Sequence, residues 1–177
     1  PSHVRRQTEV KVSPFDECPI KKQKLMGVNS SLAALLSDKG RPLQPGNDKL
    51  AAKIFRNALS QESIPDPRLP RYEMGPVHLN FHDYTKLIAY SALYQILEEI
   101  SDTSSSTSIL GATSKKDLSI VTGRGFGARD RAAAPVLPPL VDTFFRSRGM
   151  IVRDAVRNRG ELWVPKWSMQ QYVGSLR

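Results

Sequence analysis

From residue 77 onward, apolar and polar positions follow short, regular patterns. Val77, Leu79 and Phe81 share one face of an extended segment, and His78, Asn80 and His82 share the other. That two-residue period predicts a half-buried strand over 77–82. The spacing then turns helical over 85–100, with Leu87, Ile88, Ala92, Leu93, Ile96, Leu97 and Ile100 on the buried face. A run rich in Ser and Thr at 102–108 predicts a loop. Residues 118–121 predict a short apolar strand and 123–128 a glycine-rich turn. A second helix is expected over 135–148, carrying Val136, Leu137, Leu140, Val141, Phe144 and Phe145. Pro138 and Pro139 restrict its regular part to start near Pro138. Two last strands are expected at 150–156 and 161–164, joined through Arg157-Asn158-Arg159-Gly160, with a closing helix or turn at 167–173. The order βαβαββ predicts the α/β class and a two-layer sandwich. There is no internal repeat.

Residues 1–76 read differently, as an extended, partly helical arm. Prolines such as Pro14, Pro42, Pro45, Pro67 and Pro70 break the segment, and strand alternation is absent. Two short helices fit between the prolines, at about 30–37 and 48–61, the second with Asn47 as its N-cap. Leu50, Ile54, Phe55, Ala58 and Leu59 give that second helix an apolar stripe. The stripe either covers the chain's own core or docks on a protein partner, and the expectation leans to the partner. The division expected is an arm over 1–76 and a domain over 77–177.

Composition adds a sign to the partner. Twenty-six Lys and Arg against 17 Asp and Glu give a formal charge of +9 in 177 residues. That favours a polyanion, although many soluble domains carry several net charges for solubility alone. Cys18 is the only cysteine, so no internal disulfide and no all-cysteine metal site is available. No apolar run approaches the roughly 20 residues that span a bilayer, so no membrane partner is expected.

Candidate chemistry gathers at two places. The first is the polar face of the 77–82 strand, with His78, Asn80 and His82 side by side and Asp83 just beyond; a solvated strand edge is the plain alternative. The second is Thr122-Gly123-Arg124-Gly125, with Gly127, Arg129 and Arg131 close behind. Glycines let backbone N–H groups approach a phosphate, and arginines add bidentate donors. Adjacent parallel strands would open both places on the same end of the sheet, where α/β folds bind ligands. The turn lacks the Lys-Ser/Thr of a P-loop and the acidic residue of a dinucleotide fingerprint, which argues against ATP or NAD.

Leu79-Asn80-Phe81-His82 and Thr122-Gly123-Arg124-Gly125 together resemble the Smr (small MutS-related) domain, which carries Leu-Asp-x-His on its first strand and Thr-Gly-x-Gly after its second. Pro135-Val136-Leu137, Phe144, Phe145 and Gly160-Glu161-Leu162-Trp163-Val164 extend the resemblance over about residues 77–167; the arm resembles no family. The resemblance implies a fold similar to the C-terminal domain of bacterial translation initiation factor 3. It also implies DNA or RNA binding and, in some members, endonuclease cleavage. This chain departs from the pattern at Asn80, where the family has the aspartate tied to nuclease activity, and at Asp83, where it usually has glycine. An amide neither takes a proton at neutral pH nor holds a metal well. His82 remains as a base, and Asp83 assists only if the strand ends at His82.

The expectation is therefore binding rather than cleavage, with RNA favoured over DNA. Thr122, Gly123, Arg124, Gly125, Arg129 and Arg131 would contact phosphates beside His82, with Arg153, Arg157, Arg159 and Lys166 extending the surface. For Arg153 and Arg157, protection of a sheet edge is the alternative. Trp163, Trp167 and Tyr172 are candidates for base stacking, or else core and interface residues. The host expected is a large ribonucleoprotein such as an organelle ribosome, in mitochondrion or chloroplast, with nucleus and cytoplasm open. Protein partners would be met through residues 1–76. No cofactor is expected, and a divalent metal only for a nuclease. The alternatives are an Smr-type endonuclease using His82 and Asn80, and a protein-interaction module docking through the 48–61 helix.

Overall fold

A computed structural model of the chain describes residues 19–36, 47–69, 75–102, 108–123, 135–155 and 158–177. They form five helices and a four-stranded mixed sheet: α1 (Pro19–Leu36), α2 (Asn47–Ser60), β1 (Val77–Asn80), α3 (Lys86–Ser101), β2 (Leu118–Val121), α4 (Leu137–Arg146), β3 (Arg153–Ala155), β4 (Asn158–Val164) and α5 (Lys166–Ser175). The fold is mixed α/β. The expected order βαβαββ runs from β1 to β4, and the closing segment is a helix.

The sheet order is β1-β2-β4-β3. β1 and β2 are parallel and joined through α3, whereas β4 runs antiparallel to both β2 and β3. Alternation fixes the two faces. Val77, Leu79, Leu118, Ile120, Leu162 and Val164 are buried in one core with the apolar face of α3. The opposite face carries His78, Asn80, Ser119, Val121, Glu161 and Trp163. Asp117 fastens the start of the parallel pair. Its carbonyl accepts from the Val77 N–H at 2.8 Å, and its carboxylate accepts from the Lys166 N–H at 2.8 Å, satisfying a free donor at the start of α5.

Helix α3 is the central post of the domain. Thr85 caps it, accepting from the Ile88 N–H at 3.3 Å, and the same hydroxyl donates to Asn29 of α1 at 2.8 Å. At the other end, the Glu99 carboxylate accepts from the backbone N–H groups of Ile109, Leu110 and Ala112 at 2.9–3.0 Å and from the Ser108 hydroxyl. The Gln95 amide donates to it as well, at 2.8 Å. One side chain thereby fixes the chain at residues 108–112. Arg56 of α2 binds Gln95 at 2.8 Å and pairs with Glu98, tying α2 to the same end of α3.

The structure corrects several expectations. α1 is an 18-residue helix beginning at Pro19, well before residue 30. Proline is compatible with a first helical position, and the Lys- and Gln-rich sequence after it propagates a helix without an apolar stripe to announce it. The stripe of α2 is not free for a partner: Phe55 and Ala58 are buried, Ile54 and Leu59 pack against the core, and Phe55 meets Tyr84 edge to face at 6.2 Å. Leu50 alone of the stripe is well exposed. Nor does the core stop at residue 76. Residues 67–69 lie along the outer edge of β1, with Asn80 N–H donating to the Pro67 carbonyl at 2.7 Å and Leu69 N–H to the His78 carbonyl at 3.1 Å. The buried Tyr84 hydroxyl donates to the Pro65 carbonyl at 2.7 Å. β3 begins at Arg153 rather than at 150 and its pairing bulges between Asp154 and Ala155, and β4 is longer than expected, taking up Asn158, Arg159 and Gly160.

Candidate functional site

The two candidate motifs meet at the C-terminal ends of the parallel strands. Asn80 pairs with Val121, and the Phe81 N–H donates to the Val121 carbonyl at 2.7 Å, so Phe81–His82 and Thr122–Gly123 leave the sheet together. β1 ends at Asn80 rather than at His82. The expected row of three polar side chains is therefore split. His78 stays on the sheet, edge to face with Trp163 at 6.3 Å between ring centres. His82 lies in the turn beyond.

Asn80 makes that turn. Its side-chain oxygen accepts from the His82 N–H at 2.9 Å, an Asx turn that ends the strand. The amide is thus a structural group here, and an aspartate would accept the same bond. Once the chain has turned, His82 and Asp83 are exposed neighbours with Nδ1 and Oδ1 3.2 Å apart. The strand ends at Asn80 rather than at His82, as Asp83 was expected to need, and the turn still places Asp83 beside the imidazole.

The imidazole lies against Gly123. This glycine has φ +74°, and a Cβ built on it would overlap His82 Cδ2 and stand 3.1 Å from Nε2. Glycine is thus favoured here by the left-handed backbone, and a larger residue would also have to push the ring aside. Replacing Gly123 with alanine is expected to cost about 1–2 kcal/mol from backbone strain, and to move the exposed imidazole off the turn. Urea denaturation reads the first effect, and the chemical shifts of the His82 ring protons the second. A variant with unchanged ring shifts would show that the packing is incidental.

Thr122 is not available to a ligand. It is buried, its N–H donates to the Gly160 carbonyl at 2.7 Å, and its hydroxyl donates to the same carbonyl at 3.0 Å. Its role is to bind the end of β2 to β4, which holds the turn in place. Arg124, Gly125, Arg129, Arg131 and Arg157 lie outside the described residues, as does the side chain of Arg159. Arg153 and Lys166 are exposed, on β3 and at the start of α5. Trp167 is exposed, whereas Tyr172 packs against the core.

Sequence reasoning missed the network beside this site. Ser119, fully buried in the middle strand, donates to Glu161 at 2.5 Å, and the Trp163 indole N–H donates to the same oxygen at 3.0 Å. A Glu-x-Trp pair on one strand face opposite a serine was the available signal. Among the described residues no group of three His, Cys, Asp or Glu is placed to hold a metal ion, and no helix is long and apolar enough to cross a membrane. Compared with models of known families, with curated proteins and with solved structures, the chain matches none of them.

Proposed function

We propose that this chain is an Smr-type nucleic-acid-binding protein that holds an RNA backbone without cutting it. The observation that carries the reading is the exposed His82 imidazole laid on Gly123 at the open end of two parallel strands. That turn leads in sequence to Arg124, Arg129 and Arg131, in a chain of net charge +9. The imidazole and the arginines that follow in sequence supply a cationic approach to phosphate. The βαβαββ order supports the proposed kinship with the C-terminal domain of translation initiation factor 3. The basic, proline-broken sequence before residue 76 supports a large ribonucleoprotein, such as an organelle ribosome, as host.

Cleavage is the second reading, favoured by one contact. Asp83 beside His82 Nδ1 is placed to orient the ring, the relation a general base needs. Against it stands Asn80, whose oxygen is occupied by the His82 N–H.

The test is a salt-titrated binding and cleavage assay on labelled single-stranded RNA, with the natural sequence, Asn80→Asp and His82→Ala. Binding through about four phosphates should weaken on the order of 10- to 100-fold between about 50 and 200 mM salt, with no product formed. Cleavage by the natural sequence that His82→Ala abolishes would replace the first reading with the second. Absence of salt-sensitive binding to any nucleic acid would falsify both.

A further inference from the structure

The polar face of the sheet carries a transverse row. His78 of β1 pairs with Ser119 of β2, Ser119 with Trp163 of β4, and Trp163 with Arg153 of β3. Directly paired residues leave the same face of a sheet, so imidazole, hydroxyl, indole and guanidinium stand in line across all four strands. The row lies four residues before His82 and Gly123 along the chain, at most about 13 Å.

The indole in this row is fixed and its polar atom is satisfied. Its N–H donates to Glu161 at 3.0 Å, the ring of His78 meets it edge to face at 6.3 Å, and Glu161 is anchored in turn by the buried Ser119. Trp163 is only half-buried, on the side of the sheet away from the core. Ser119 is fully buried within the row, and its hydroxyl orients Glu161. Beside the indole, Arg153 is exposed and has no acidic partner among the described residues.

We infer that this row is a base-stacking platform for single-stranded RNA: one unpaired base stacks on Trp163 while Arg153 meets a flanking phosphate. The inference rests on the nucleic-acid reading above and names the form of the strand it takes. An indole locked before binding loses little rotamer freedom on stacking, and stacking accepts any base because every base has a π face. The strand would run from the His82–Gly123 turn across the polar face, so that one site grips phosphate and the other an opened base. Duplex RNA, whose bases are stacked inside, satisfies only the first.

The test uses the full chain and its two tryptophans. In the Trp167→Phe variant the fluorescence comes from Trp163 alone. It is titrated with a single-stranded RNA oligonucleotide, an abasic strand of the same length, and a duplex. Quenching by the oligonucleotide but not by the abasic strand or the duplex is expected. Trp163→Leu is expected to weaken oligonucleotide binding about tenfold while leaving abasic-strand binding unchanged. Arg153→Ala, at an exposed site, should weaken binding to both single strands and covers the case in which Trp163→Leu does not fold. If the oligonucleotide binds with salt sensitivity but neither quenches Trp163 nor distinguishes base from abasic site, the platform is overturned and the phosphate-binding reading stands. If nothing binds, the reading beneath it falls as well.

Discussion

Truncating Phe55 to alanine is expected to cost about 3–5 kcal/mol of folding stability, the range for removing a buried aromatic ring. Phe55 has no exposed surface, although it lies in a stretch that reads as an arm. Its ring meets Tyr84 edge to face at 6.2 Å, and Tyr84 stacks on Phe81 at 5.1 Å. Phe81 is the residue between Asn80, which makes the turn, and His82, which sits on it. The cavity would therefore open directly behind the candidate site. Equilibrium urea denaturation measures the loss, and Leu50→Ala on the same helix, at an exposed position, should stay within about 0.5 kcal/mol. A loss below about 1 kcal/mol for Phe55→Ala would mean that α2 is not part of the core.

Glu99→Ala is expected to cost about 2–4 kcal/mol. The carboxylate receives three backbone N–H groups and a hydroxyl from residues 108–112. Removing it strands several donors at once, each costing about 1–3 kcal/mol where water does not reach. The cost stays below the sum because the site is only partly buried and water replaces some bonds. Glu99→Gln keeps one acceptor oxygen but turns the other into a donor facing donors, so it should recover less than half the loss. Hydrogen exchange at Ile109, Leu110 and Ala112 localises the effect. Protection that persists in Glu99→Ala would assign the order of this loop to Leu110, which is buried, rather than to the carboxylate.

Much of this fold was legible because burial imposes a period. Leu118 and Ile120, or Val77 and Leu79, announce a strand through the faces they must present, and the long buried face of α3 does the same for a helix. The helix ends and strand starts that depend on a side chain bonding to distant backbone were not. Nothing periodic marks Glu99 as the acceptor for residues 108–112, or Asp117 as the cap of α5. The apolar stripe of α2 was visible, but a stripe states only that something covers it; that α3 does so is a tertiary fact. At the site, the juxtaposition of His82 and Gly123 followed from two parallel strands. The Asx turn at Asn80 did not, because alternation through Phe81 and His82 continues the strand on paper after the backbone has left it. Thr122 read as a ligand-facing hydroxyl because its motif neighbours do, while its own partner, the Gly160 carbonyl, is 38 residues away.

Both margins of the sheet are closed in different ways. Residues 67–69 already take up the His78 carbonyl and the Asn80 N–H on the outer edge of β1. β3 offers only three residues, two of them charged, with a bulge in its pairing. An incoming strand would have to displace a native one on the first margin and would find no flat run of amides on the second. Among the described residues, the sheet margins are thus poorly suited to recruit extended peptides by strand addition or to polymerise edge to edge. Loosening residues 67–69, by replacing Pro67 or by cutting the chain before β1, would open that margin of the sheet to strand addition.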